Sequence, residues 1–272
     1  MAASNVADLM VVTSGPTVAG QRLLNLPDAP GYPAPTGWHG GTYNAGLSSY
    51  GYNMAAVCMP RSGVPLSTEV TSSTAAGSGA GGFGQTAVLC PFGMVAFSGG
   101  VDVQDFDKMS LTGSGPTPNG VQLPHQFPAG TYDGPIGWAG SVRNSLASEP
   151  VFKVAAVCGP ANGIQMVIAR GSVGAESDLS ISAACPAGSI AIGGGVTAAD
   201  LYDVQIRATG PTFGSSYSGL ENQSDGTGPA PTGWQAQVSN DGVSAWDVGL
   251  VAICARWPMT FFEGDEAPTP AR

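Results

Sequence analysis

Residues 137–158 read GWAGSVRNSLASEPVFKVAAVC, and two other stretches of the chain repeat the pattern. Residues 37–58 (GWHGGTYNAGLSSYGYNMAAVC) and 233–254 (GWQAQVSNDGVSAWDVGLVAIC) also open on Gly-Trp, carry Asn six residues after the Trp, and end on Cys twenty residues after it. The first limb alternates in part, as a half-buried strand does. Asn44, Asn144 and Asn240 suit the turn that closes it, because Asn tolerates left-handed backbone and hydrogen-bonds its own main chain. The second limb is a compact apolar run, as expected of a central strand. With Trp38, Trp138 and Trp234 spaced by 100 and 96 residues, the chain is an internal repeat.

Outward from each Gly-Trp limb lies a Ser/Thr-Gly-Pro, at Pro16, Pro116 and Pro211. These sites read as turns that reverse the chain after runs such as KMSLTG and VQIRAT. A further half-motif occurs twice: CPFGMVAFSGGV from Cys90 and CPAGSIAIGGGV from Cys185, with Gly99–Gly100 and Gly194–Gly195 in one register. Glycine pairs inside a strand mark a kink, a bulge or the close approach of another backbone. No window keeps a helical period. The expected fold is all-β, with three tandem β-sandwich or β-prism-like repeats in a pseudo-threefold arrangement. The copies are residues 6–60 (incomplete), 61–160 and 161–258, followed by an acidic tail at 259–272 in which Phe261 and Phe262 are the candidate anchors. The repeat is out of phase with the chain: the Trp half occurs three times and the Cys-Pro half twice. That phase shift predicts a special interface between the first and last copies, or another chain that supplies the missing strands.

Charged residues make up only 10 % of the chain, 43 % is hydrophobic, and the net charge is −10. The apolar content argues against disorder. The charge argues against a nucleic-acid partner. No apolar run is long enough for a membrane-spanning helix. The N-terminal MAASNVADLMVV lacks a basic region followed by an apolar core, so it does not read as an ordinary secretory signal.

The cysteines alternate between the two half-motifs: Cys58, Cys158 and Cys254 end the Ala-Val-Cys strands, while Cys90 and Cys185 precede proline. Without CxxC or Cys/His clusters, disulfides are the better reading than metal. Two pairings respect the repeat. Cys58–Cys90 with Cys158–Cys185 leaves Cys254 as the free thiol; Cys90–Cys158 with Cys185–Cys254 leaves Cys58. The first is preferred, because a short apolar strand, a reversal and a returning strand would join the two classes. The bland alternative is five reduced, buried cysteines. Disulfides imply an oxidising, extracellular location.

No catalytic, metal or cofactor constellation is legible. His39 and His125 read as solvated loop residues, and Asp102, Asp105 and Asp107 as solvated turn carboxylates. The glycines from Gly79 to Gly84 match a dinucleotide fingerprint by letters but lack its βαβ context. Trp38, Trp138 and Trp234 are read as core or inter-repeat packing residues, with sugar stacking as the alternative. The loops 121–135 and 213–231, rich in Ser, Gly, Tyr and Asn, are candidate recognition surfaces.

At CPAGSIAIGGGV, Ser-Gly-Pro, Gly-Trp, Asn and Ala-Val-Cys the sequence resembles a β repeat of secreted actinobacterial proteins and of actinobacteriophage virion proteins, over roughly residues 8–258. The resemblance implies location and class rather than an activity. It leads to the expectation of a non-enzymatic bacteriophage virion protein, either a capsid decoration or a minor tail/fibre component. Such a protein would bind other virion proteins or a cell-surface glycan, with homo-oligomers possible, no cofactor and no membrane insertion. The alternative is a secreted carbohydrate-binding, lectin-like protein.

Overall fold

The computed structural model describes residues 9–47, 54, 56–58, 65–77, 82–120, 123–199, 203–213 and 230–256. Among them the fold is all-β, with only two short 3-10 turns, at Leu23–Asn25 and Pro124–Gln126. The strands are β1 (Leu9–Thr17), β2 (Tyr32–Pro33), β3 (Gly37–Asn44), β4 (Ser67–Thr74), β5 (Phe83–Leu89), β6 (Met94–Val103), β7 (Met109–Thr117) and β8 (Gly130–Asp133). They continue as β9 (Gly137–Asn144), β10 (Val151–Pro160), β11 (Ile164–Val173), β12 (Ser177–Ala184), β13 (Ser189–Ala198), β14 (Val204–Thr212), β15 (Gly233–Asn240) and β16 (Trp246–Arg256).

One antiparallel pair recurs three times with the same register. β1 pairs with β3, β7 with β9, and β14 with β15, bringing Pro16 opposite Trp38, Pro116 opposite Trp138, and Pro211 opposite Trp234. Each first strand shifts register at the equivalent place, after Val11, Leu111 or Ile206. The Ser/Thr-Gly-Pro sites are therefore not reversals, contrary to the sequence reading; they lie within strands. Proline is tolerated there because it sits past the second ladder: on the other edge only Ser14 reaches β6, and only Gly113 and Ser114 reach β13.

Residues 67–160 build a two-layer sandwich. The layer β4–β10–β6 packs on the layer β5–β9–β7. Residues 164–256 repeat the plan, with β11–β16–β13 against β12–β15–β14. The layers link from one sandwich to the next: β1 meets the edge of β6, and β7 meets the edge of β13. The result is a six-stranded sheet, β2-β4-β10-β6-β1-β3, and a seven-stranded one, β5-β9-β7-β13-β16-β11-β8. β1, β7 and β14 touch one another, and their equivalent residues Met10, Ser110 and Gln205 line one cleft of about 170 Å³.

The apolar runs that end in Cys form the centre of each sandwich. In β10 every residue from Phe152 to Gly159 is buried, and in β16 every residue from Val248 to Ala255. Strands with neighbours on both edges and side chains covered on both faces show no polar alternation, which is why VFKVAAVC and VGLVAIC read as compact runs.

Two disulfides form, Cys90–Cys158 and Cys185–Cys254, with Cα separations of 5.5 and 5.6 Å. The preferred pairing was wrong: Cys58 is not joined to Cys90, Cys158 is not joined to Cys185, and Cys254 is not free. Cys58 is the free, exposed thiol. The reason is topological. The strand after an Ala-Val-Cys strand does not return to it but enters the next sandwich. Beside Cys158 lie β4 and β6, and beside Cys254 lie β11 and β13; the Cys-Pro cysteines lead into β6, where Cys158 faces Ala96, and into β13, where Cys254 faces Ala191. Each disulfide therefore closes a separation of 68 or 69 residues within one sandwich. Their presence points to an oxidising, extracellular or secreted environment.

Candidate functional site

The joints between successive units bring buried polar side chains together across the units. At the first joint β6 crosses β1. A Cβ on Gly100 would lie 2.0 Å from the Ser14 carbonyl oxygen and 2.4 Å from Gly15 Cα, while one on Gly99 would lie 2.4 Å from the Trp138 ring. At the second joint β13 crosses β7 in the same way: a Cβ on Gly195 would lie 2.2 Å from the Ser114 oxygen, and one on Gly194 2.3 Å from the Trp234 ring. The glycine pair thus has a divided task. Its first member makes room for the unit's own tryptophan, and its second lets the preceding unit's strand touch backbone to backbone.

Two residues past each glycine pair, a polar side chain closes the joint. Asp102 is fully buried, and its carboxylate accepts from Thr13 Oγ1 (3.0 Å), from the Leu24 amide of the first 3-10 turn (3.1 Å) and from the Arg22 guanidinium. Arg22 also lies over the Phe106 ring, 4.5 Å from its centroid. Burial pushes the Asp102 carboxyl upward, but hydrogen bonds from His39 and Arg22, the His39 charge and the Leu24 amide outweigh it and hold the pKa at about 2. At the second joint Thr197 takes the place of Asp102. Its hydroxyl oxygen accepts the amide of His125, in the second 3-10 turn, and lies 3.2 Å from His125 Nδ1. Burial and the nearby Arg170 charge lower the His125 pKa to about 4, against the opposing pull of Asp247. Asp102, His39 and His125 are therefore structural residues of the joints, not the solvated groups the sequence suggested. The signal that was legible, yet missed, is the equal offset of Asp102 and Thr197 from the glycine pairs.

Thr13, His39 and Asp102 bring together the side-chain types of a hydrolytic triad, but not its geometry. Thr13 Oγ1 and Asp102 Oδ1 both approach the same ring nitrogen, His39 Nε2, at 3.2 and 3.5 Å. A relay needs the hydroxyl on one nitrogen and the carboxylate on the other. Among the described residues, His39 Nδ1 is buried without a hydrogen-bond partner.

The tryptophans donate to equivalent hydroxyls: Trp38 Nε1 to Ser14 Oγ (2.9 Å), Trp138 to Ser114 Oγ (3.0 Å) and Trp234 to Thr209 Oγ1 (2.9 Å). Trp138 is 1 % exposed, which leaves no face for a sugar ring; Trp38 and Trp234 are partly buried. Each repeat asparagine accepts the amide two residues on, from Gly46, Leu146 or Gly242. The Asn144 amide also donates to the carbonyls of Ala76 and Ser148, and that of Asn240 to Gly174 and Ser244, tying the turn to the connection ahead of the outer strand. Asn44 is exposed.

The candidate loop 121–135 holds the second 3-10 turn, docked on β13 and β16 at the joint. Most of the loop 213–231, all of the tail 259–272 with Phe261 and Phe262, and residues 79–81 of the Gly79–Gly84 stretch lie outside the described residues. Among those described, no group of three His, Cys, Asp or Glu is placed to hold a metal ion, and no helix is long and apolar enough to cross a membrane.

In comparisons with known proteins, no family model and no curated protein matches this chain.

Proposed function

We propose that the chain is a non-enzymatic structural protein of an extracellular particle, specifically a bacteriophage surface component of the capsid-decoration or minor tail/fibre type. The observation that carries this reading is the joint. Disulfide-closed sandwiches are linked edge to edge through backbone contacts, a plan suited to assembly into a larger body and to displaying loops on a rigid frame. Both histidines are engaged in those joints, which favours a binding role over acid–base chemistry. The resemblance of the repeat to virion proteins supplies the particle. The lectin-like reading loses its Trp138 platform to burial and retains only the loops.

Quantitative mass spectrometry of gradient-purified particles and of the secreted fraction tests this. The expected result is a constant copy number relative to the major particle protein, retained through a high-salt wash. Recovery only as free protein, with saturable binding on a glycan array, would replace the particle reading with the lectin-like one.

A further inference from the structure

The joint is made twice, and a third position is prepared for it. β14 carries Thr209–Gly210–Pro211 where β1 carries Ser14–Gly15–Pro16 and β7 carries Ser114–Gly115–Pro116. β6 docks on the first of these and β13 on the second. Among the described residues, β14 pairs only with β15, at the end of its three-stranded layer.

The first unit is open at the matching place. β3 ends its sheet and pairs only with β1 among the described residues, whereas β9 and β15 each have an outer strand, β5 and β12. No residue of β3 is fully buried, while most of β9 and β15 are. Met54 keeps the relation to β3 that Val154 of β10 has to β9. A Cβ on Gly40 would lie 3.2 Å from Met54 Sδ, as one on Gly140 would lie 2.8 Å from Val154 of β10. Gly140 is flanked on its other side by Val101 of β6, at 2.4 Å; beside Gly40 no such residue is found among those described. Cys58 holds its sulfur near the Ala56 carbonyl oxygen (4.0 Å), as Cys158 and Cys254 do with Ala156 and Ala252 (3.8 Å each). It is nonetheless exposed and reduced, while both counterparts are bonded to Cys-Pro cysteines.

We propose that these open ends form one acceptor site for a partner polypeptide bearing a Cys-Pro half-repeat. Its glycine-pair strand docks between β14 and the described residues Met54 and Ala56–Cys58, and its cysteine joins Cys58. The occupant is specified by the chain itself, which covers the equivalent surface twice with β6 and β13. A second copy has no spare strand to give, since both are held at home by disulfides. The covalent step is thiol–disulfide exchange: the Cys58 thiolate attacks a donor cysteine held as a mixed disulfide with a small thiol. One S–S bond forms, one breaks, and the small thiol leaves with the proton, without net oxidation. The inference extends the edge-to-edge assembly of the proposed function, but its test reads docking directly, so its failure and the failure of the particle reading are separate results.

The test uses the full-length chain and a synthetic peptide of residues 185–198, CPAGSIAIGGGVTA, activated as its 2-pyridyl disulfide. The expected result is a mixed disulfide at Cys58, located by peptide mapping, forming at least tenfold faster than with a scrambled peptide that keeps the cysteine first. A peptide with Gly194→Leu and Gly195→Leu should lose that advantage. A second measurement removes the covalent bond: Cys58→Ser chain with Cys185→Ser peptide should show slowed amide exchange at Ala208 and Thr209. An advantage of less than tenfold, unchanged exchange at β14, or a purified chain already dimerised through Cys58 would each overturn the proposal.

Discussion

If the glycine pairs exist to let one unit's strand touch the next, a single methyl at Gly100 should break the first joint. In Gly100→Ala the new Cβ would lie 2.0 Å from the Ser14 oxygen and 2.4 Å from Gly15 Cα. Both are backbone atoms, so no side-chain rotation relieves the clash. Reaching even 3.0 Å, below which real Cβ atoms essentially never sit, requires β1 and β6 to part by at least 1 Å. That movement pulls Thr13 from Asp102, now at 3.0 Å, and from the Val101 carbonyl, now at 2.8 Å. Overpacking a core site costs about 1–3 kcal/mol, and the rigidity of both partners puts this variant near 3 kcal/mol. Gly115→Ala is the control. It lies in an equivalent strand, its Cβ meets neighbours only at 3.4–3.6 Å, and its backbone is outside the left-handed region. It should be neutral or stabilising by up to about 1 kcal/mol through the unfolded state. Urea unfolding of the two variants, followed by tryptophan fluorescence with the disulfides intact, measures the difference. If Gly100→Ala falls within about 0.5 kcal/mol of Gly115→Ala, the joint is not a tight backbone contact and the account of the glycine pair fails.

Replacing Cys90 and Cys158 together by Ser should lower stability by about 4 kcal/mol, because a loop of that length closed by a disulfide removes about that much unfolded-state entropy; urea midpoints with and without reductant check it. Acid should destabilise the chain in two windows. His125 has a folded pKa near 4 against 6.5 unfolded, so the unfolded state takes up the proton first and stability drops as pH falls from about 6.5 to 4. Asp102 has a folded pKa near 2 against 3.8, so its contribution, about 2 kcal/mol, is present above pH 3.8 and lost as pH falls toward 2. Unfolding curves at spaced pH values test both, and His125→Gln should flatten the upper window only. Asn144→Ala strips donors from the Ala76 and Ser148 carbonyls and should cost about 1–3 kcal/mol, with faster amide exchange at the start of β5; Asn44→Ala, at an exposed position, should cost less.

Much of the repeat was legible because its landmarks carry local constraints. A tryptophan donating to a hydroxyl one strand away, an asparagine accepting its own turn, and an apolar run between two strands each leave a fixed residue type at a fixed offset. The joint was less legible. Asp102 in VDVQDFD looks like a solvated carboxylate, because its partners Thr13, Arg22, Leu24 and His39 are more than sixty residues away in the chain. Pro16, Pro116 and Pro211 read as turn residues for the same reason: only the paired structure shows that all three lie within strands, with Pro16 and Pro116 past the second ladder.

By itself, then, the sequence determined the strand class, the repeat, its phase against the chain and the two kinds of cysteine, all of which rest on residue types at short, regular spacing. The tertiary structure alone decided which cysteines pair. A disulfide records adjacency across a sheet rather than along the chain, and the strand that brings a Cys-Pro cysteine beside each Ala-Val-Cys strand is an earlier strand of the same sandwich, β6 or β13, not the one that follows it. The same fact leaves Cys58, rather than Cys254, as the free and exposed thiol.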